Sequence, residues 1–185
     1  MKRKDNTMPK PTQITGRLWK LTTPEGDFYD DIDTDMIFHN RYLHITEIAE
    51  MGQYALDNLA GWEDFAQRAQ PGDIVMAGRN FGAGSSRQQA VDCFLALGIA
   101  AIIAESFGAI YKRNAINSGL PIVTLPGLTE RAAAFATGDT LMVDFATGAM
   151  RLDDTVVQAE PFSQVQMDIY QAGDLFAYGK LLAPS

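Results

Sequence analysis

Between Gly78 and Ala90 the chain reads GRNFGAGSSRQQA, with three glycines, two adjacent serines and an arginine placed just ahead of a helical pattern. One reading is structural: Ser85 stands where an N-cap belongs, and Gln88 three residues later completes a Ser-x-x-Gln capping box. The other is chemical. A helix N-terminus presents free N–H groups and the positive end of its dipole to an anion. Arg87, expected in the first helical turn, adds a planar fork suited to a carboxylate at a place where positive charge does not help the helix. The glycines permit positive φ and close backbone approach, which a capping box alone does not need. Nucleotide loops do not fit: a Walker A loop needs a Gly-Lys pair, and the dinucleotide fingerprint needs Gly-x-Gly-x-x-Gly, whereas the spacing here is Gly-x-x-x-Gly-x-Gly. A small carboxylate remains, held by backbone N–H groups around Gly84 and by Arg87, with Ser85 or Ser86 beside it.

Several elements must position this loop. Ile14–Leu21 alternates as an early strand before the turn TPEGD. Thr46 is placed to cap a helix whose apolar residues Ile48, Ala49, Met51, Ala55, Leu56 and Leu59 recur at helical spacing and end near Gly61. Asp73–Ala77 reads as a short buried strand, so the loop joins a strand to a helix. A second buried strand (IAAIIAE), a helix (SFGAIYKRNAINSG) and a third strand (PIVTLP) follow, the order expected of parallel pairing. From Gly138 to Glu160 the chain alternates with turn signals at Ala146–Gly148 and Asp153–Asp154, as antiparallel strands do. Pro161–Ala183 fits one or two short helices. The sum is an α/β fold with a mixed sheet.

Composition bounds the function. The chain has 185 residues, 46% of them hydrophobic, enough for one well-buried core. We expect a flexible N-terminal tail over 1–12 and a single domain over 13–185. A formal net charge of −8 with scattered Lys and Arg argues against nucleic acid and anionic membrane as partners. No apolar run approaches a membrane span, and the basic N-terminus lacks the apolar centre of a signal peptide. The single cysteine, Cys93, rules out an internal disulfide or a multi-cysteine metal site made by this chain alone, and suits a reducing cytoplasm.

GRNFGAGSSRQQA, the following IIAESFGAIYKRNAINSGLPIV and the upstream DDIDTDMIFHNRYL together resemble the small subunits of 3-isopropylmalate dehydratase, the swivelling domain of the aconitase superfamily. The resemblance spans residues 30–125. It implies a swivelling β/β/α domain that covers an active site on a separate large subunit, whose three cysteines hold a [4Fe–4S] cluster; no cofactor is expected on this chain alone. It also implies dehydration and rehydration of a small 2-hydroxy di- or tricarboxylic acid. Ser85 would act as the base, as an alkoxide stabilised by the helix N-terminus, Ser86 and Arg87.

Other positions carry two readings each. Asp33 and Asp35 are either part of a solvated acidic loop or, by the family motif, orienting groups beside the active site. Arg41 is either a carboxylate ligand or a surface charge. His44 follows Tyr-Leu where family members vary with substrate, and is either a substrate contact or a surface histidine. Arg113 and Asn114 read as structural. Ala83, Gln88-Gln89 and His39 depart from the common cysteine, Glu-His and proline of the family. These departures leave the reaction class intact and the substrate open among isopropylmalate, homoaconitate, dimethylmalate, citraconate and maleate hydro-lyases. A non-catalytic carboxylate-binding paralogue would keep the same loop.

Overall fold

A computed structural model describes residues 9–183. Seven strands form one mixed sheet: β1 (Gln13–Lys20), β2 (Ile74–Ala77), β3 (Ala101–Ala104), β4 (Ile122–Thr124), β5 (Thr140–Asp144), β6 (Ala149–Leu152) and β7 (Thr155–Gln158). Their order is β4-β3-β2-β1-β5-β6-β7. β1 through β4 pair in parallel, in register Lys20↔Met76, Met76↔Ile103 and Ile103↔Val123. The opposite half is an antiparallel meander. The helices are α1 (Thr34–Ile37), α2 (Ile48–Met51), α3 (Phe65–Arg68), α4 (Gln89–Ala96), α5 (Ala109–Asn117), α6 (Gln164–Ala172) and α7 (Leu175–Leu182).

β2 and β3 are buried at every position, because both faces of the parallel half are covered. Alternation divides their side chains between two clusters. Trp19, Val75, Ala77, Ile102 and Ala104 pack with Ala90, Val91, Cys93 and Phe94 of α4 and Tyr111 of α5. Leu18, Ile74, Met76, Ala101 and Ile103 pack with Leu141, Val143, Met150, Phe162 and Tyr170. α4 and α5 thus lie on one face and the curled antiparallel strands, with α6, on the other, the β/β/α arrangement expected. Asp73, 4% exposed, ties the start of β2 to β1: it accepts from Arg17 Nη2 and Trp19 Nε1, both at 2.7 Å, and from the Gln70 N–H at 2.8 Å.

Two expectations need correction or qualification. The helix from Thr46 to Gly61 is not formed: α2 lasts four residues, a 3-10 turn covers Gly52–Tyr54, and Leu56 adopts φ 63°. Thr46 is not its cap; Glu47 takes that position without a side-chain bond. The Leu56 N–H donates at 2.9 Å to the carbonyl of Ile37, outside the segment, so tertiary pairing diverts a helical pattern into a turn. Of the tail expected over 1–12, residues 1–8 lie outside the described residues. The carbonyls of Lys10 and Pro11 accept from Gln171 and Tyr170 of α6, both at 2.8 Å.

Candidate functional site

The loop leaves β2 at Gly78 and runs beside residues 29–34, joined by Gly78 N–H to Tyr29 O, Asp31 N–H to Arg79 O, Gly82 N–H to Ile32 O and Thr34 N–H to Ala83 O. Packing, rather than access to a substrate, selects the first two glycines. A Cβ on Gly78 would meet Asp30 Oδ1 at 2.0 Å, and one on Gly82 would meet the Tyr111 ring at 2.2 Å. A Cβ on Gly84 would make only ordinary contact, at 3.8 Å, with Asp33 and Thr34, so there the backbone conformation, φ +91°, is the constraint.

The capping box does not form. α4 begins at Gln89, its N-cap is Gln88, and no side chain caps it. Gln88 Nε2 donates instead to Asp92 Oδ1 and Ser118 Oγ, both at 2.9 Å. Ser85 therefore lies outside the helix, exposed, with its Oγ 3.1 Å from Thr34 Oγ1. Among the described residues the N–H groups of Ser85 and Ser86 donate to no protein acceptor. Asn114 Nδ2 lies 3.4 Å from Ser86 Oγ, which brings α5 to the loop.

Arg87 also stands ahead of α4, not in its first turn, so its charge does not oppose the dipole where the sequence reading placed it. Its side chain, 12% exposed, turns towards α1. Nη1 donates to Asp35 Oδ1 at 2.8 Å and to the carbonyls of Thr34 and Phe38. Nε and Nη2 have no acceptor among the described residues, leaving one edge of the fork available for a carboxylate. Arg87 holds the Asp35 carboxyl below the usual carboxylate range, against burial and with help from the Asn40 N–H. Asp33 caps α1, accepting from Asp35 and Met36 N–H at 2.8 Å each. One of the two acids thus builds the turn and the other anchors the arginine.

Arg41 and His44 sit on the neighbouring loop and contact neither Ser85 nor Arg87. Arg41 is exposed, with Nη2 3.4 Å from Asp57 Oδ2; His44 Nδ1 lies 3.0 Å from Arg41 O. The link to the site is Asp35, whose Oδ1 also accepts from Asn40 N–H at 2.9 Å. Sequence reasoning missed Thr34. It is 3% exposed, and the signal was a hydroxyl standing between two acids in DTD, close to a motif already suspected of holding a base.

Among the described residues no group of three or more His, Cys, Asp or Glu is placed to hold a metal. Cys93 is fully buried, its Sγ against Ala90 O, and burial pushes its thiol far above the ordinary range. It is not poised to be a thiolate ligand. No helix among the described residues is long and apolar enough to cross a membrane. A cleft of about 570 Å³ opens beside Gln88, Asp92, Asn114 and Phe176, but Ser85 and Arg87 do not line it. They stand on one open wall.

Comparison with known proteins shows the family. Residues 27–127 match the aconitase C-terminal domain family. The chain is 38% identical over 169 residues to the isopropylmalate/citramalate isomerase small subunit of Methanocaldococcus jannaschii, covering 90% of this chain and 94% of that one. It is 39% identical over 155 residues to the 3-isopropylmalate dehydratase small subunit of Caldicellulosiruptor saccharolyticus, covering 83% and 87%. A crystal structure of 3-isopropylmalate dehydratase from M. jannaschii superposes with a TM-score of 0.80 at 32% identity, covering 92% of this chain and 95% of that one.

Proposed function

The chain belongs to the aconitase C-terminal domain family, and from that premise we propose that it is the small subunit of 3-isopropylmalate dehydratase, active only with a cluster-bearing large subunit. The observation that carries the reading is Ser85. An exposed hydroxyl, relieved of capping duty and paired with the buried Thr34, stands near an arginine with one open edge on a wall that nothing among the described residues encloses. Residues 13–185 act as one swivelling domain that brings this wall to the site, in the reducing cytoplasm suggested by a lone, buried cysteine.

As an alkoxide, Ser85 takes the carbon-bound proton while the hydroxyl leaves the neighbouring carbon, giving an unsaturated diacid and a neutral serine. Ser85 then gives that proton to the carbon that had carried the hydroxyl while hydroxide adds to the carbon that had lost the proton, which restores the alkoxide. A serine anion needs a donor already aimed at it, and the Thr34 hydroxyl, 3.1 Å away, supplies one. The free edge of Arg87 grips a substrate carboxylate while Nη1 stays fixed to Asp35. Gly84 and Ser86 complete the carboxylate cradle, and Arg41 and His44 reach the distal end of the substrate. The [4Fe–4S] cluster, bound by the large subunit, supplies a Lewis acid for the hydroxyl. Asp33 and Asp35 serve as cap and anchor.

The experiment is reconstitution with the iron-loaded large subunit and assay against isopropylmalate, citramalate and longer 2-hydroxy acids. We expect turnover of isopropylmalate by the pair and none by the chain alone. Turnover by the isolated chain, or none by the pair on any of these acids, overturns the reading.

A further inference from the structure

The turn Leu56–Asp57–Asn58 supplies no group to the reaction proposed above, yet three features mark it. Leu56 is fully buried and has φ 63°, a left-handed conformation that a bulky residue adopts only when its surroundings impose it. The constraint is visible in the Leu56 N–H to Ile37 O bond, which ties the turn to the end of α1. Asp57 Oδ1 is buried and has no hydrogen-bond partner among the described residues, an arrangement with a cost that apolar packing does not repay. Asp57 Oδ2 accepts from Tyr42 OH at 2.6 Å and lies 3.4 Å from Arg41 Nη2.

The next residue faces the same neighbourhood. Asn58 Nδ2 donates to Asp35 O at 3.2 Å, and Asp35 in turn holds Arg87 and the Asn40 N–H. The Tyr42 ring stacks on Tyr54 at 4.0 Å and 21°, with the Arg41 guanidinium 4.8 Å from its centroid. The turn therefore grips the 40–44 loop through Asp57 and the Arg87 anchor through Asn58.

We propose that Asp57 is a specificity-positioning residue: by holding Tyr42 and Arg41, it fixes the 40–44 loop relative to Arg87 and so sets which distal group on the substrate is accepted. The inference rests on the proposed dehydratase activity. Asp57 touches no substrate and moves no proton. Its bond to Tyr42 is the leading reason that the Tyr42 phenol lies above its ordinary range, followed by burial, so the contact has its own spectroscopic readout.

The test uses the reconstituted two-subunit enzyme with Asp57→Ala, Asp57→Asn, Tyr42→Phe and the Asp57→Ala/Tyr42→Phe double variant, assayed on isopropylmalate and citramalate. Asp57→Ala should raise KM for isopropylmalate about tenfold, leave kcat within about twofold, and change the ratio of kcat/KM for the two acids. Asp57→Asn keeps an acceptor for Tyr42 and should recover at least half of the loss on a logarithmic scale. The double variant should be no worse than Asp57→Ala, because both single changes remove the same bond. In the chain alone, ultraviolet titration should show the Tyr42 phenol, identified by its loss in Tyr42→Phe, ionising at lower pH in Asp57→Asn. A folded Asp57→Ala enzyme with wild-type KM and substrate ratio overturns the inference while leaving the dehydratase reading intact. Equal losses of kcat for both acids with unchanged KM also overturn it. A wild-type pair without turnover overturns the parent reading and the inference together.

Discussion

The two faces of the sheet are held in different ways. Behind it, Phe145 stacks on Phe162 at 4.6 Å and 6°, with Tyr170 edge-on at 5.5 Å, under strands joined by tight turns. That face is stabilised by apolar area in a regular pattern, and any volume-matched packing would serve it. In front, three non-glycine residues adopt positive φ (Asp31, Leu56 and Asn80), and single polar bonds fix the geometry: Thr34 to Ser85, Arg87 to Asp35, Asp57 to Tyr42. Among the described residues the other positive-φ non-glycine is Asp153, in the turn between β6 and β7. The front is packed as well, with Phe38, Phe65, Phe81 and Phe94 fully buried there; what separates the two faces is that the proposed chemistry lies only in front, so a change behind the sheet should act on stability alone.

The sharpest test of that separation is Ser85→Ala. Removing a general base should lower kcat of the paired enzyme by about 10²–10⁴-fold. Because Ser85 is exposed and caps nothing, its loss should leave unfolding free energy within about 0.5 kcal/mol. Near-normal kcat in the folded variant would erase the distinction from the chemical side. Phe145→Ala is the converse: urea unfolding should show a loss of about 3–5 kcal/mol, with kcat unchanged in the fraction that stays folded. A kcat that falls with stability would mean that the two faces are coupled.

Thr34→Val comes next. A hydrogen bond to a charged group contributes about 1.5–3 kcal/mol, so kcat should drop roughly 10–100-fold and its rise with pH should move to higher pH, with Thr34→Ser restoring both. An unchanged pH–rate profile would make Thr34 a packing residue. The smallest effect is on acid stability. Burial works to raise the Asp73 carboxyl, but Arg17, Trp19 and the Gln70 N–H outweigh it and hold it below the usual range. A lowered folded value means that the stabilisation is complete above the unfolded value of about 3.9 and is lost as pH falls through the folded one. Melting temperature should decline below about pH 4, and Asp73→Asn should reduce stability at neutral pH while flattening that decline. Asp35→Asn, at the half-exposed site-face pair, should flatten it less. Equal slopes in Asp73→Asn and wild type would remove Asp73 from the account.

Much of the scaffold was legible because its signals are local. DIVMA and IAAIIAE are apolar runs too short for helices, and the structure places strands in both. ATG and Asp153-Asp154 mark the turns of the meander. The serine loop was legible because its composition suits no regular element. What escaped is decided by distant partners. Thr46 to Gly61 has helical spacing, but the bond from Leu56 to Ile37 wins over propensity. Ser85 and Gln88 have capping-box spacing, yet α4 starts later and each side chain finds a partner elsewhere: Thr34 for the serine, Asp92 and Ser118 for the glutamine. Asp57 was hidden among the apolar positions of that unformed helix.

β1 has a further consequence for how the chain is made. Its first half pairs with β5 and its second half with β2, in register Gly16↔Leu141 and Leu18↔Ile74. On the ribosome, the strand that emerges first must wait for residue 74 on one side and for the 140s on the other, while β5, β6 and β7 find one another within a few residues of their own synthesis. Closing a span of roughly 125 residues costs little more free energy than closing a shorter one, but long-range pairing is slow. Within this sheet β1 thus keeps an unpaired edge until β5 is made, and of the seven strands the one nearest the N-terminus is among the last to complete its pairing.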